Sequence, residues 1–186
     1  MTDVRSRLLD KLRRDAYREG TFTLASGKTS DFFIDCKAVM LSAEGHSLCA
    51  EALLALLDVT ERASSERASV VAGVALGGCP LASALSLLSF QRGQPRDALY
   101  VRKESKDHGT RSLIEGRAAP GSRVVLLEDV MTTGASSKLA IERLQSAGYV
   151  VSSVLALVDR EEGAAAAIRA LGIEAHALFT RGDFVK

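Results

Sequence analysis

The stretch that most constrains the fold is Val124-Val125-Leu126-Leu127-Glu128-Asp129-Val130-Met131-Thr132-Thr133-Gly134-Ala135-Ser136. Four consecutive apolar residues mark a strand buried on both faces. Two adjacent carboxylates follow where that strand is expected to end. A short loop of hydroxyls and glycine then leads into Ser137–Gln145, which has helical spacing. In an open α/β sheet, ligands sit outside the carboxyl ends of the strands. A small, hydroxyl-rich loop entering a helix can wrap a phosphate with backbone N–H groups, aided by the helix dipole. Glu128 and Asp129 repel a phosphate and suit sugar hydroxyls, a divalent cation or a developing positive charge. A ribose 5-phosphate satisfies both halves of the stretch. The plain alternative is a strand–turn–helix with two solvated acids.

The rest of the chain repeats the strand–helix pattern. An i, i+4 stripe of Val4, Leu8, Leu12 and Ala16 predicts a helix over 3–19, stopped by Gly20. Two β-rich runs, Thr21–Leu24 and Phe32–Cys36, flank a Ser/Gly turn and read as a hairpin. Ser42 is an expected N-cap for a helix over 43–57, and 60–69 reads as a surface loop or frayed helix end. Strands are expected at Val70–Val74, Ala98–Val101, Val124–Asp129, Val150–Val158 and Ile173–Phe179. Helices are expected after Pro80, over Ser137–Gln145 and over Glu161–Leu171. Strands alternating with helices predict right-handed βαβ units and a mostly parallel sheet flanked by helices. With 186 residues and no dividing linker, one domain over 1–186 is expected, with 1–40 as a helix and hairpin and 43–180 as the α/β core.

Three further strand ends carry chemistry. Gly73-Val74-Ala75-Leu76-Gly77-Gly78-Cys79-Pro80 has paired glycines that allow close backbone approach to a ligand, and a diphosphate fits. A plain strand–helix turn reads equally well. Arg102-Lys103-Glu104-Ser105-Lys106-Asp107-His108-Gly109 places three cations and a histidine within seven residues. Such a run is more often a solvated face. Asp159-Arg160 ends another strand, and an arginine there can grip a planar anion or form a surface ion pair.

Net charge is +1 and aromatic residues make up 5% of the chain, so neither a nucleic-acid partner nor a membrane surface is expected. Cys36, Cys49 and Cys79 are far apart, odd in number and free of metal-type spacing, which reads as reduced thiols in a cytoplasmic protein. No signal segment or membrane-spanning run is evident.

The 124–136 stretch resembles the phosphoribosyl diphosphate signature of the type I phosphoribosyltransferases. The Arg102–Gly109 run resembles, residue by residue, a narrow signature of the orotate phosphoribosyltransferases, and the likeness spans roughly residues 20–160. The resemblance implies the type I phosphoribosyltransferase fold with a small N-terminal hood, formed by Phe22–Asp35, over the pyrimidine. It implies that Glu128 and Asp129 hold the ribose hydroxyls and that the Val130–Ser136 segment holds the 5-phosphate, through Thr132, Thr133, Gly134, Ala135 and Ser136. Arg102, Lys103, Lys106 and His108 would contact the diphosphate, with Lys106 and His108 catalytic and His108 able to act as an acid. Thr132 and Arg160 would hold the orotate ring. Some relatives carry a ligand-contacting lysine where this chain has Ala25, and Lys28 is the substitute. The expected reaction joins orotate and phosphoribosyl diphosphate to give orotidine 5'-monophosphate and diphosphate. Mg2+ would be held mainly through substrate and water. A homodimer is implied in which the Lys106–His108 segment closes over the neighbouring subunit's site. A purine- or uracil-specific phosphoribosyltransferase, or a non-catalytic regulator sensing phosphoribosyl diphosphate, are the alternatives.

Overall fold

The computed structural model describes residues 2–23, 29–103 and 112–185. Helix α1 (Thr2–Asp15) is followed by an antiparallel hairpin of β1 (Tyr17–Thr23) and β2 (Thr29–Ile34), then the short α2 (Lys37–Met40) and the long α3 (Ala43–Ser64). The core then alternates: β3 (Val70–Val74), α4 (Gly78–Gln91), β4 (Asp97–Val101), β5 (Ile114–Glu115), β6 (Arg123–Met131), α5 (Ala135–Ser146), β7 (Val150–Asp159), α6 (Ala164–Arg169) and β8 (Glu174–Thr180). The six-stranded sheet has the order β5-β4-β3-β6-β7-β8 and is parallel throughout except for β5.

Strand alternation sorts the core into two layers. Val71, Val125, Leu127, Leu155 and Leu157 pack on one face with Leu53 and Leu57 of α3 and Leu81 and Leu85 of α4. Val70, Ala72, Val124, Leu126, Val154 and Ala156 pack on the other with Ile141 and Leu144 of α5 and Ile168 of α6. Both faces of β3 are buried along its whole length. The unbroken apolar runs of these strands follow from cover on both sides.

The hairpin is tied to this core through aromatic contacts. Phe32 of β2 is fully buried, 5.2 Å from Tyr17 and 5.9 Å from Phe184 between ring centroids. The Asp35 N–H donates to the Ala16 carbonyl at 3.1 Å, closing the hairpin back onto the end of α1.

Several expected boundaries are corrected. The first helix ends at Asp15, and Gly20 lies inside β1, where the register shifts between Glu19 and Phe22. Ser42 caps α3 as expected by accepting from the Gly45 N–H, but α3 runs through the polar segment to Ser64. The last helix occupies only Ala164–Arg169, because Gly163 adopts φ 100° and starts it late. Strand β6 continues to Met131, so Glu128 and Asp129 sit within the strand rather than at its end. β5, too short and polar to show periodicity, pairs antiparallel at the edge beside Tyr100 and Val101.

Candidate functional site

Four of the parallel strands, β3, β4, β6 and β7, deliver their following loops to one end of the sheet. A cavity of about 360 Å³ opens there. Ala75, Leu76 and Gly77 from the β3–α4 loop line it, as do Lys103 after β4, the whole 128–137 segment and Lys37 at the start of α2. Adjacent β3 and β6 place the glycine-rich turn beside the acid pair.

The two acids point to opposite faces of β6. Glu128 turns toward α5, is 6% exposed, and accepts a 3.1 Å hydrogen bond from the Ser137 hydroxyl. Burial, then the neighbouring Asp129 charge, push its carboxyl up to about 7, against the Ser137 bond and the Lys103 charge. Asp129 turns toward the β3–α4 loop. A Cβ built on Gly77 would lie 2.3 Å from its carboxyl carbon, so only glycine lets this turn approach the acid so closely. The Asp129 carboxylate accepts the Val130 N–H at 2.9 Å.

Beyond β6, Thr132 and Thr133 lead to Gly134, which caps α5 at φ 82°. This left-handed residue turns the chain from strand into helix and aims the first N–H groups of α5 into the cavity. The Thr132 carbonyl accepts the Ala164 N–H at 3.0 Å, and the Met131 carbonyl accepts the Arg160 N–H at 2.9 Å. Thr132 and Arg160 are thereby held side by side. Arg160 is 8% exposed, and its guanidinium pairs with Glu162 at 2.7 Å and lies 5.5 Å from the centre of the Phe32 ring. The hood, through Phe32, thus faces the arginine at the end of β7.

The basic run divides just beyond the end of β4. Lys103 lines the cavity. The Arg102 guanidinium turns instead to Glu115 on β5 at 3.4 Å, and its N–H donates to the Leu113 carbonyl at 2.9 Å. The two ends of the intervening segment therefore meet. Lys28, Lys106 and His108 lie outside the described residues, so Arg102, Lys103, Glu128, Asp129, the 130–136 loop and Arg160 are the expected residues that can be placed.

Two residues at the site carry no sequence signal. Arg143 on α5 reaches back to donate to the Arg102 carbonyl and, at 2.9 Å, to the Lys103 carbonyl. Its spacing in the α5 pattern marks only a polar helix face. Lys37 follows the β2 run as an isolated lysine, and only the fold brings it to the cavity. Cys79, beside the glycine turn, is buried, its thiol pushed up to about 11 chiefly by burial. It packs rather than reacts.

A parallel sheet with an acid pair beside a glycine turn, a phosphate-type loop entering the next helix and a hood above defines a type I phosphoribosyltransferase. No protein-family model matches the chain. The orotate phosphoribosyltransferase of Sorangium cellulosum (strain So ce56) is 52% identical over 183 residues, covering 97% of this chain and 93% of that protein. The crystal structure of the Aeropyrum pernix orotate phosphoribosyltransferase superimposes with a TM-score of 0.77 at 37% identity, covering 96% of this chain and 94% of the other. The Mycobacterium tuberculosis H37Rv orotate phosphoribosyltransferase, solved in complex with 5-phospho-alpha-D-ribosyl 1-diphosphate, matches with a TM-score of 0.78 at 31% identity, over 97% of this chain and 98% of that one. The chain belongs to the orotate phosphoribosyltransferase family.

Proposed function

We infer that the chain is a pentosyltransferase that transfers the phosphoribosyl group of phosphoribosyl diphosphate to orotate in pyrimidine nucleotide synthesis, giving orotidine 5'-monophosphate and diphosphate. The observation that carries this is the single cavity shared by the Gly77 turn, the Glu128–Asp129 pair and the 132–136 loop. A ribose flanked by a phosphate at one end and a diphosphate at the other presents matching groups to all three.

In this reading the Thr132–Ser136 loop cradles the 5-phosphate through backbone N–H groups and hydroxyls. Glu128 and Asp129 accept hydrogen bonds from the ribose hydroxyls, and their charge favours the ring as its C1–O bond to the diphosphate breaks. The leaving diphosphate takes the electron pair. Lys103, with Arg102, Lys106 and His108, offsets that charge, and His108 serves as the proton donor to it. Orotate N1, acidic enough to lose its proton to water without a protein base, forms the new bond to C1 with the electron pair left on nitrogen. Thr132 and Arg160 orient the orotate ring, whose carboxylate suits the arginine fork, while the Phe32 side of the hood and Lys28 cover it. Closing the 103–112 segment keeps water from the cationic ring.

Mg2+ fits the donor set. Among the described residues no three His, Cys, Asp or Glu side chains cluster to hold a metal. The half-buried Asp129 carboxylate and Glu128 offer hard oxygens beside the substrate position. Asp129, with Glu128 behind it, would hold the ion together with substrate oxygens and water. The bound ion supplies charge neutralisation on the diphosphate.

The assembly in this reading is a homodimer with shared sites, and the whole chain acts as one domain. Its buried free thiols accord with a reducing cytoplasm. No helix among the described residues is long and apolar enough to cross a membrane.

The test follows the near-ultraviolet absorbance of orotate with purified protein, phosphoribosyl diphosphate and Mg2+, with uracil, hypoxanthine and adenine run in parallel by product chromatography. Orotate-selective, metal-dependent turnover is expected. Turnover of another base instead would move the assignment within the phosphoribosyltransferases. Binding of phosphoribosyl diphosphate with no turnover of any base would point to a regulator.

A further inference from the structure

We propose that Lys37 is a binding residue for the diphosphate end of phosphoribosyl diphosphate, a fixed cation supplied from the base of the hood. The proposal rests on the substrate reading above and adds a residue to it.

The local chain holds Lys37 rigidly. Its backbone N–H donates to Asp35 Oδ1 at 3.1 Å, and its ammonium lies 2.6 Å from the same oxygen. Asp35 is in turn tied by its N–H to the end of α1. Cys36, Val39 and Met40 are fully buried around it, so α2 cannot drift. The side chain nevertheless keeps 45% of its surface open, on the wall of the cavity. An ammonium carries three donors; Asp35 accepts from one face of it, which leaves the group able to donate into the cavity as well.

Charge then selects the ligand. The cavity is lined by two carboxylates, and Lys37 and Lys103 are its cations among the described residues. They come from different elements, the base of the hood and the end of β4. The 5-phosphate loop has no charged side chain between Thr132 and Ser136 and is built to bind through its backbone. Lys37 belongs to the other end. After its partner Asp35, the acid whose charge acts on it is Asp129, which packs on Gly77, whereas the other cavity acid, Glu128, turns away to Ser137. With Asp129 at the ribose hydroxyls, as in the substrate reading above, the group past ribose C1 is the diphosphate. Lys37 and Lys103 would grip it from two sides, with the Gly77 turn between them.

The experiment measures binding of phosphoribosyl diphosphate, inorganic diphosphate and ribose 5-phosphate by calorimetry to the wild type, Lys37→Gln and Lys37→Arg, with thermal melts confirming folded protein. Loss of a charge-assisted hydrogen bond predicts about tenfold or more weaker binding of both diphosphate-bearing ligands to Lys37→Gln. Ribose 5-phosphate should bind within about twofold of wild type, and Lys37→Arg should recover most of the loss. Unchanged affinity for phosphoribosyl diphosphate in Lys37→Gln overturns the proposal, as does an equal loss for ribose 5-phosphate. If the wild type turns over no orotate yet binds phosphoribosyl diphosphate in a Lys37-dependent way, the reaction assignment fails and the role of Lys37 stands.

Discussion

Glu128 shows at the scale of one residue how the site stores instability in the free protein. A carboxyl whose folded pKa rises from its ordinary 4.5 to about 7 binds its proton more tightly folded than unfolded. Stability of the free protein therefore falls as pH rises through that window, and the full cost is present above about pH 7. Glu128→Gln keeps an acceptor for Ser137 and removes the buried charge. It should stabilise the ligand-free protein by a margin absent near pH 4.5 and growing to the order of 2–3 kcal/mol at pH 8, while turnover drops. Urea midpoints across pH 4.5–8 check this, and a pH-independent difference would show that Glu128 keeps an ordinary pKa. The acid pair and the loop after it were legible in the sequence because their chemistry is contiguous. Lys37 was not, since a lone lysine after a strand carries no pattern until Asp35 and Asp129 are placed beside it.

Among elements, α5 does two jobs. Its first turn follows the Thr132–Ser136 loop, proposed above to hold the 5-phosphate, and two turns later Arg143 clasps the Arg102 and Lys103 carbonyls where the basic segment leaves β4. In the proposed substrate reading the helix links the two ends of the substrate through one rigid body. Arg143→Leu is expected to lower kcat about tenfold to hundredfold by loosening the basic segment, with little change in Tm and in the KM for orotate. An unchanged kcat would make Arg143 a surface contact only. Element boundaries were least legible where tertiary partners replace local signals. The polar stretch after Leu57 stays helical to Ser64 because Glu61 has work in the interior. It pairs at 2.6 Å with Arg96, whose side chain is fully buried, and accepts the Ala68 N–H at 2.9 Å. By contrast β6 overran its expected end because its pairing with β7 continues to Met131 opposite Asp159.

For the whole molecule, the proposed homodimer makes a quantitative prediction. If the 104–111 segment completes the partner's site, a Lys106→Ala chain and an Asp129→Asn chain should each be nearly inactive alone. Mixed and allowed to exchange, equal amounts should recover about a quarter of wild-type activity, because half the dimers are mixed and each has one intact site. No recovery, with exchange confirmed by a tagged subunit, would place all catalytic residues of a site on one chain. The hood belongs to this scale as well. Its reading as a cap over the base depends on Phe32 lying against Arg160 and packing with Tyr17 and Phe184, contacts that join both termini of the chain.

The sequence by itself determined the α/β alternation, the buried parallel strands, the hydroxyl- and glycine-containing loop after the acid pair and the family, because each of these is written in residues adjacent along the chain. The tertiary structure decided what depends on neighbours distant in sequence. The sheet order brings Gly77 against Asp129, the β6–β7 pairing sets Thr132 beside Arg160, α2 carries Lys37 to the cavity, and α5 sets Arg143 against the Arg102 and Lys103 carbonyls. Those contacts arise from packing two apolar layers on one twisted sheet, and no local periodicity encodes which polar side chains that packing leaves at its edge.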